Sequence, residues 1–210
     1  MTRRVFEYAH PERFVAGTVG EPGQRAFYLQ ARDGGRTTSV LLEKAQVAAL
    51  AERISDVLDT LLRRSGGQLP IPAVAPKDHL DLDPLDNPVE PEFRVGTMSL
   101  VWDDDDESLV IEAFAAALDD DEGEAEDDSV AEDDDLDEDE RARQLAAEQA
   151  RLLEQSDVLH VVLSGVAARG FAERAERVVA AGRPACPLCN LPLDPQGHVC
   201  PRQNGYRRRS

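Results

Sequence analysis

Phe14-Val15-Ala16-Gly17-Thr18-Val19 and Phe93-Arg94-Val95-Gly96-Thr97-Met98 share the frame Phe-x-x-Gly-Thr at an offset of 79 residues. Both read as strands. A second pair of matching stretches lies downstream. Val40-Leu41-Leu42 followed by Leu50-Ala51-Glu52-Arg53 corresponds to Val161-Val162-Leu163 followed by Phe171-Ala172-Glu173-Arg174, at an offset of 121. The two offsets differ by 42 residues, which places an insertion inside the second copy and predicts a duplicated unit.

Around these anchors the first copy reads as three strands and a helix. Phe14 to Val19 and Ala26 to Ala31 flank the turn Glu21-Pro22-Gly23, and Asp33-Gly34-Gly35 turns the chain into Thr37 to Leu42. From Glu43 the period changes. Val47, Leu50, Ala51, Ile54, Val57, Leu58 and Leu61 fall at helical spacing on one face and end before Gly66-Gly67. Arg4 to Tyr8 is an additional short β-like run, broken by His10-Pro11-Glu12. In the second copy Phe93 to Met98, Leu109 to Phe114 and His160 to Leu163 are the strands. The helix carries Ala168, Phe171, Ala172, Ala175, Val178 and Val179 on one face, with Ser164 at its N-cap.

The expected architecture is α+β: two tandem β-β-β-α repeats packing as one pseudo-symmetric core about a twofold axis, because a single unit leaves its sheet half covered. The first repeat spans 1–67, a linker with six prolines 68–91, and the second repeat 92–182. A zinc knuckle and basic tail occupy 183–210.

The formal charge of −19 is unevenly distributed. Twenty-two of the forty-two acids lie between Asp103 and Glu140, where there is no Lys or Arg, so the remainder carries twenty acids against twenty-three bases. The segment 119–140 cannot bury enough apolar surface to offset the entropy of ordering, and it is expected to be disordered. Residues 141–155 read as a solvated spacer helix.

All three cysteines fall in the last twenty-five residues, as Cys186-Pro187-Leu188-Cys189 and then Gly197-His198-Val199-Cys200. Three thiolates and an imidazole are the donor set of a closed tetrahedral zinc site, so Cys186, Cys189, His198 and Cys200 are the expected ligands of a structural Zn²⁺. With four protein ligands no coordination position stays open for catalysis. The odd, clustered cysteines argue against a disulfide framework. With no signal-peptide h-region and no membrane-spanning run, a cytoplasmic location is expected.

There is no Gly-x-Ser-x-Gly, no phosphate-binding glycine loop and no His-Glu-x-x-His. His10, His79 and His160 are isolated, and Asp78, Asp81, Asp83 and Asp86 around His79 read as a solvated loop rather than a metal cluster. Three functions follow. The first is a non-enzymatic binding or adaptor protein with a protein partner. The second is nucleic-acid binding by the arginine-rich tail, opposed by the acidic insertion. The third is an enzyme with a site between the repeats, where Arg25, Glu43, Lys44 or Glu7 would meet.

The stretches Phe6-Glu7-Tyr8, Phe14 to Gly20, Phe27-Tyr28-Leu29-Gln30, Leu42-Glu43-Lys44, Phe93 to Gly96 and Cys186 through Arg208 resemble an uncharacterised conserved family of actinobacterial proteins, a domain of unknown function. The resemblance implies a bacterial cytosolic protein and brings no catalytic residue with it.

Overall fold

In the computed structural model, which describes residues 3–21, 23–117, 151–181 and the isolated position 188, strands β1 (Val5–Ala9) and β2 (Arg13–Val19) are separated by only three residues. They nevertheless lie at opposite ends of a seven-stranded sheet. The other strands are β3 (Ala26–Asp33), β4 (Arg36–Leu42), β5 (Pro91–Asp103), β6 (Ser108–Ala115) and β7 (Val158–Ser164), in the order β1-β7-β6-β5-β4-β3-β2. Six interstrand spacings in a flat sheet would span roughly 29 Å. Three linking residues reach about 15 Å. The sheet must therefore roll up until its edges approach, and side chains bridge the interior accordingly. The Tyr8 hydroxyl on β1 meets the Thr38 hydroxyl on β4 at 2.8 Å, buried, although three strands lie between them in the sheet. Arg36 of β4 covers the Tyr8 ring and donates to the Glu7 carbonyl. His10 makes the tight connection with a positive φ of 54°.

Each half is a three-strand antiparallel meander followed by a helix. β2-β3-β4 leads into α1 (Lys44–Arg64), and β5-β6-β7 into α2 (Gly165–Ala180). β4 and β5 pair in parallel, so β5-β6-β7 repeats β2-β3-β4 in the same direction and order along the sheet. The connection makes this possible. α1 and the stretch after it carry the chain back to the starting end, as a crossover between parallel neighbours requires. β1 then adds to β7 in parallel, as an outer strand of the second half.

The core collects inward-facing residues of every strand, including Leu29, Val40, Ile111 and Val161, against Val47, Leu50, Ala51, Ile54 and Leu58 of α1. α1 starts at Glu43, where a reciprocal capping box with Gln46 satisfies its first amides. Ser164 caps α2 by accepting from the Ala167 amide at 3.3 Å. α2 packs on α1 and touches both β7, from which it springs, and β2 at the far end of the sheet, where Phe171 stacks on Phe14 at 4.7 Å.

The proline-rich stretch between α1 and β5 is a strap. It crosses over α2, burying Ile71 and Ala75, and then passes round the β2 edge to the other face of the sheet. Phe14 and Ala16 belong to the core, so Gly17 faces the opposite side, and a Cβ there would lie 2.5 Å from Leu85 of the strap. Gly170 in α2 serves the same purpose on the helix side, since a Cβ would sit 2.4 Å from the His79 carbonyl oxygen. The long connection between β6 and β7 occupies 116–157, where the sequence places its insertion. Of it, 118–150 lies outside the described residues, as does most of the expected spacer helix. Residues 151–155 are helical.

Gly170→Ala is expected to lower unfolding free energy in urea by about 1–3 kcal/mol, because backbone rather than a flexible side chain must give way. Gly35→Ala, where a Cβ meets nothing within 4 Å, should change it by less than about 0.5 kcal/mol.

Candidate functional site

Where the strap rounds the β2 edge, it encloses a cleft of about 510 Å³ between β2, α2 and residues 78–83. Two arginines that the sequence reading did not single out form its polar wall. Arg174 sits on α2 with 6 % of its side chain exposed, and Arg13 opens β2 with 8 % exposed. Both converge on Asp81. Arg13 Nε donates to Asp81 Oδ2 at 2.6 Å and Nη2 to Oδ1 at 3.0 Å, a bidentate fork, while Arg174 Nη1 reaches Oδ1 at 2.7 Å.

Several of their other donors close on backbone, while Arg13 Nη1 faces Asp86. Arg174 Nε donates to the Ala16 carbonyl at 2.8 Å and its Nη2 to the Asp83 carbonyl at 2.6 Å. Arg13 Nη2 also serves the carbonyls of Asp83 and Pro84. Asp86 lies 3.2 Å from both Arg13 and Arg32, and its amide donates to the buried Gln30 side chain. Further along α2, Arg169 pairs with Asp59 of α1 and donates to the Pro72 carbonyl, while Glu173 accepts from the Ala75 amide at 2.6 Å. Two arginines and one glutamate on a single helix thus hold both ends of the strap.

The electrostatics follow from this geometry. The hydrogen bond from Arg13 holds the Asp81 carboxyl below the usual carboxylate range, against the opposing effect of burial. The same bond raises Arg13. Burial pushes Arg174 down, with Asp81 opposing it. The Asp78–Asp86 segment is therefore not the solvated loop expected from sequence, since Asp81 and Asp86 neutralise buried arginines. A run of acids beside prolines carries no mark of its distant basic partners. Gly165 and Gly170 within α2 were the available signal that something packs closely on its second side.

Chemically the cleft is a polar recess in which Arg13, Arg174 and Asp81 already answer one another. His79 and Asp78 stand at its rim, exposed, and none of its lining residues is Ser, Thr, Cys, Lys or Tyr. No group of three or more potential metal ligands occurs among the described residues. The residues expected to meet between the repeats do not come together. Arg25 donates to the Ala181 carbonyl, Glu43 pairs with Arg94 at the start of α1, Glu7 offers its carbonyl to Arg36, and Lys44 is exposed. None lines the cleft. His160 lies 3.4 Å from Glu112, which accepts from Ser99 at 2.8 Å, in a polar row across β5, β6 and β7. Cys186, Cys189, His198 and Cys200 lie outside the described residues. No described helix is long and apolar enough to cross a membrane.

The fold and cleft define an α+β protein built on one curled seven-stranded sheet, with its crossover connection locked by buried ion pairs. Residues 6–200 match the family described as Protein of unknown function (DUF3090), and the chain belongs to that family. No curated protein and no solved structure matches it.

Replacing Asp81 by Ala strands two nearly buried guanidinium groups and is expected to cost about 3 kcal/mol of unfolding free energy in urea. A carboxylate depressed by folding adds stability above the ordinary carboxylate range and loses it as pH falls towards its folded value. Wild-type stability should therefore drop as pH is lowered below about 4, and Asp81→Asn should flatten that dependence.

Proposed function

We propose that this chain is a non-enzymatic binding protein, an adaptor whose strapped body presents a C-terminal zinc knuckle to a protein partner. The observation that carries the reading is the state of the cleft at the β2 edge. Its nearly buried arginines, Arg13 and Arg174, and the partly buried Asp81 are committed to holding the strap. A protein built this way offers a rigid scaffold, and chemistry that distinguishes it is concentrated in the cysteine-containing terminus.

In this proposal Cys186, Cys189, His198 and Cys200 hold one structural Zn²⁺, three as thiolates and one through an imidazole nitrogen. The two β-β-β-α halves derive from duplication of one unit. Supporting this, Gly17 and Gly96 occupy the same place in the frame, and at each a Cβ would come within 3 Å of a neighbouring atom, Leu85 in one case and the Ala116 backbone in the other. The body folds independently of the metal.

Purified untagged protein should contain one zinc per chain by elemental analysis, and protein with none would contradict the knuckle. Cys189→Ala should abolish zinc binding while leaving the body's thermal midpoint in place. Partners recovered from a cell extract by the wild type should be lost with that variant. Retention of every partner, or recovery of nucleic acid in their place through Arg202 and Arg207 to Arg209, would reject the adaptor reading.

A further inference from the structure

The rolled sheet leaves three strand edges to be managed, and two are blunted by arginines. At β2, Arg174 occupies the Ala16 carbonyl, and at β1, Arg36 occupies that of Glu7. The third edge belongs to β5. β4 pairs with β5 only from Ser39 opposite Pro91 to Leu41 opposite Arg94, after which the chain turns away into α1. The Gln46 side chain takes over the Val95 and Gly96 carbonyls, each at 3.1 Å. From Thr97 to Asp103, β5 is paired with β6 alone, and no described residue hydrogen-bonds its other edge.

Among the described residues, this edge has no covering element and no protection beyond the bulge near Gly96. Gly96-Thr97-Met98-Ser99-Leu100-Val101-Trp102 contains no charge and no proline. Lysine, proline or an inward charge is what normally discourages strand addition. Charge appears only at the two ends, and with opposite sign. Lys44, and Arg94 already paired with Glu43, stand where the edge begins, while Asp103 ends β5 and Asp104 to Glu107 form the turn that follows.

We propose that Thr97 to Asp103 is the pairing strand of a homodimer, in which two copies join β5 to β5 antiparallel about a twofold axis at Leu100. β4 and Gln46 fix the register, because they block any extension before Thr97. Thr97 then lies opposite Asp103 of the second copy, Met98 opposite Trp102, Ser99 opposite Val101 and Leu100 opposite itself. Residues two apart share a face, so every pair stays on its own side of the joined sheet. The antiparallel arrangement carries each acidic turn towards the Arg94 and Lys44 of the other copy. The two Asp103 residues stay about 20 Å apart, well beyond the Debye length of about 8 Å at physiological salt. An unrelated extended peptide would fill the backbone bonds equally well but would have no acidic turn matched to the basic end, which favours a second copy.

Sedimentation velocity on the full chain over a dilution series tests this with two substitutions at one exposed position. Thr97→Asp sets like charges opposite Asp103 twice per dimer and should weaken association roughly tenfold, whereas Thr97→Lys should strengthen it by a similar factor. Both variants should keep the wild-type thermal midpoint measured at a concentration where all are monomeric. A chain that stays monomeric throughout would overturn the proposal, as would two variants that shift association in the same direction or leave it unchanged.

Discussion

Arg174 ties α2 to two segments far away in sequence, the β2 edge at Ala16 and the strap at Asp81 and Asp83. A guanidinium group that is 6 % exposed survives in such a place only when its charge and its donors are all answered. Asp81 supplies the charge and also answers Arg13, so one carboxylate fixes where the strap crosses from one face of the sheet to the other. By contrast, Arg94 and Glu43, 59 % and 62 % exposed, form a pair of the kind usually worth less than about 1 kcal/mol. The buried cluster therefore governs the tertiary arrangement, and the surface pair only decorates the start of α1.

The strap matters because of the topology it permits. β4 and β5 run parallel, and parallel neighbours need a crossover long enough to return the chain to its starting end. α1 supplies most of that return. The strap completes it while covering α2, whose glycines at 165 and 170 allow backbone to approach within contact distance. α2 is consequently buried on nearly all sides, against α1 and β2 as well as the strap. The same wrapping protects the β2 edge, while part of the β5 edge has no pairing partner among the described residues.

Much of the local structure was legible in the sequence. Strand alternation, the glycine turns, the change of period after Leu42 and the Ser164 cap all report on neighbours a few residues away, and all appear in the structure. The halves could be counted but not oriented, since the direction of β5 relative to β4 depends on how a proline-rich connection travels. The same limit explains β1, a short apolar run whose partner, β7, lies some 150 residues downstream. Nothing local marks Arg13 and Arg174 as buried, and Asp81 is one acid in an acidic loop. Their meaning is entirely long-range. The expected knuckle is the reverse case: its proposed donor set is read directly from sequence, and all four residues fall outside the described residues.

Native-state hydrogen exchange tests most directly whether the strap is part of the core. The Ala75 amide, held by Glu173, and the Asp86 amide, held by Gln30, sit at its two ends. Both should exchange with opening free energies close to those of β3 amides, because the strap cannot leave without uncovering Arg174 and Asp81. Exchange of these two amides at the rate of an unstructured chain, with β3 still protected, would contradict the central role given to the buried ion pairs.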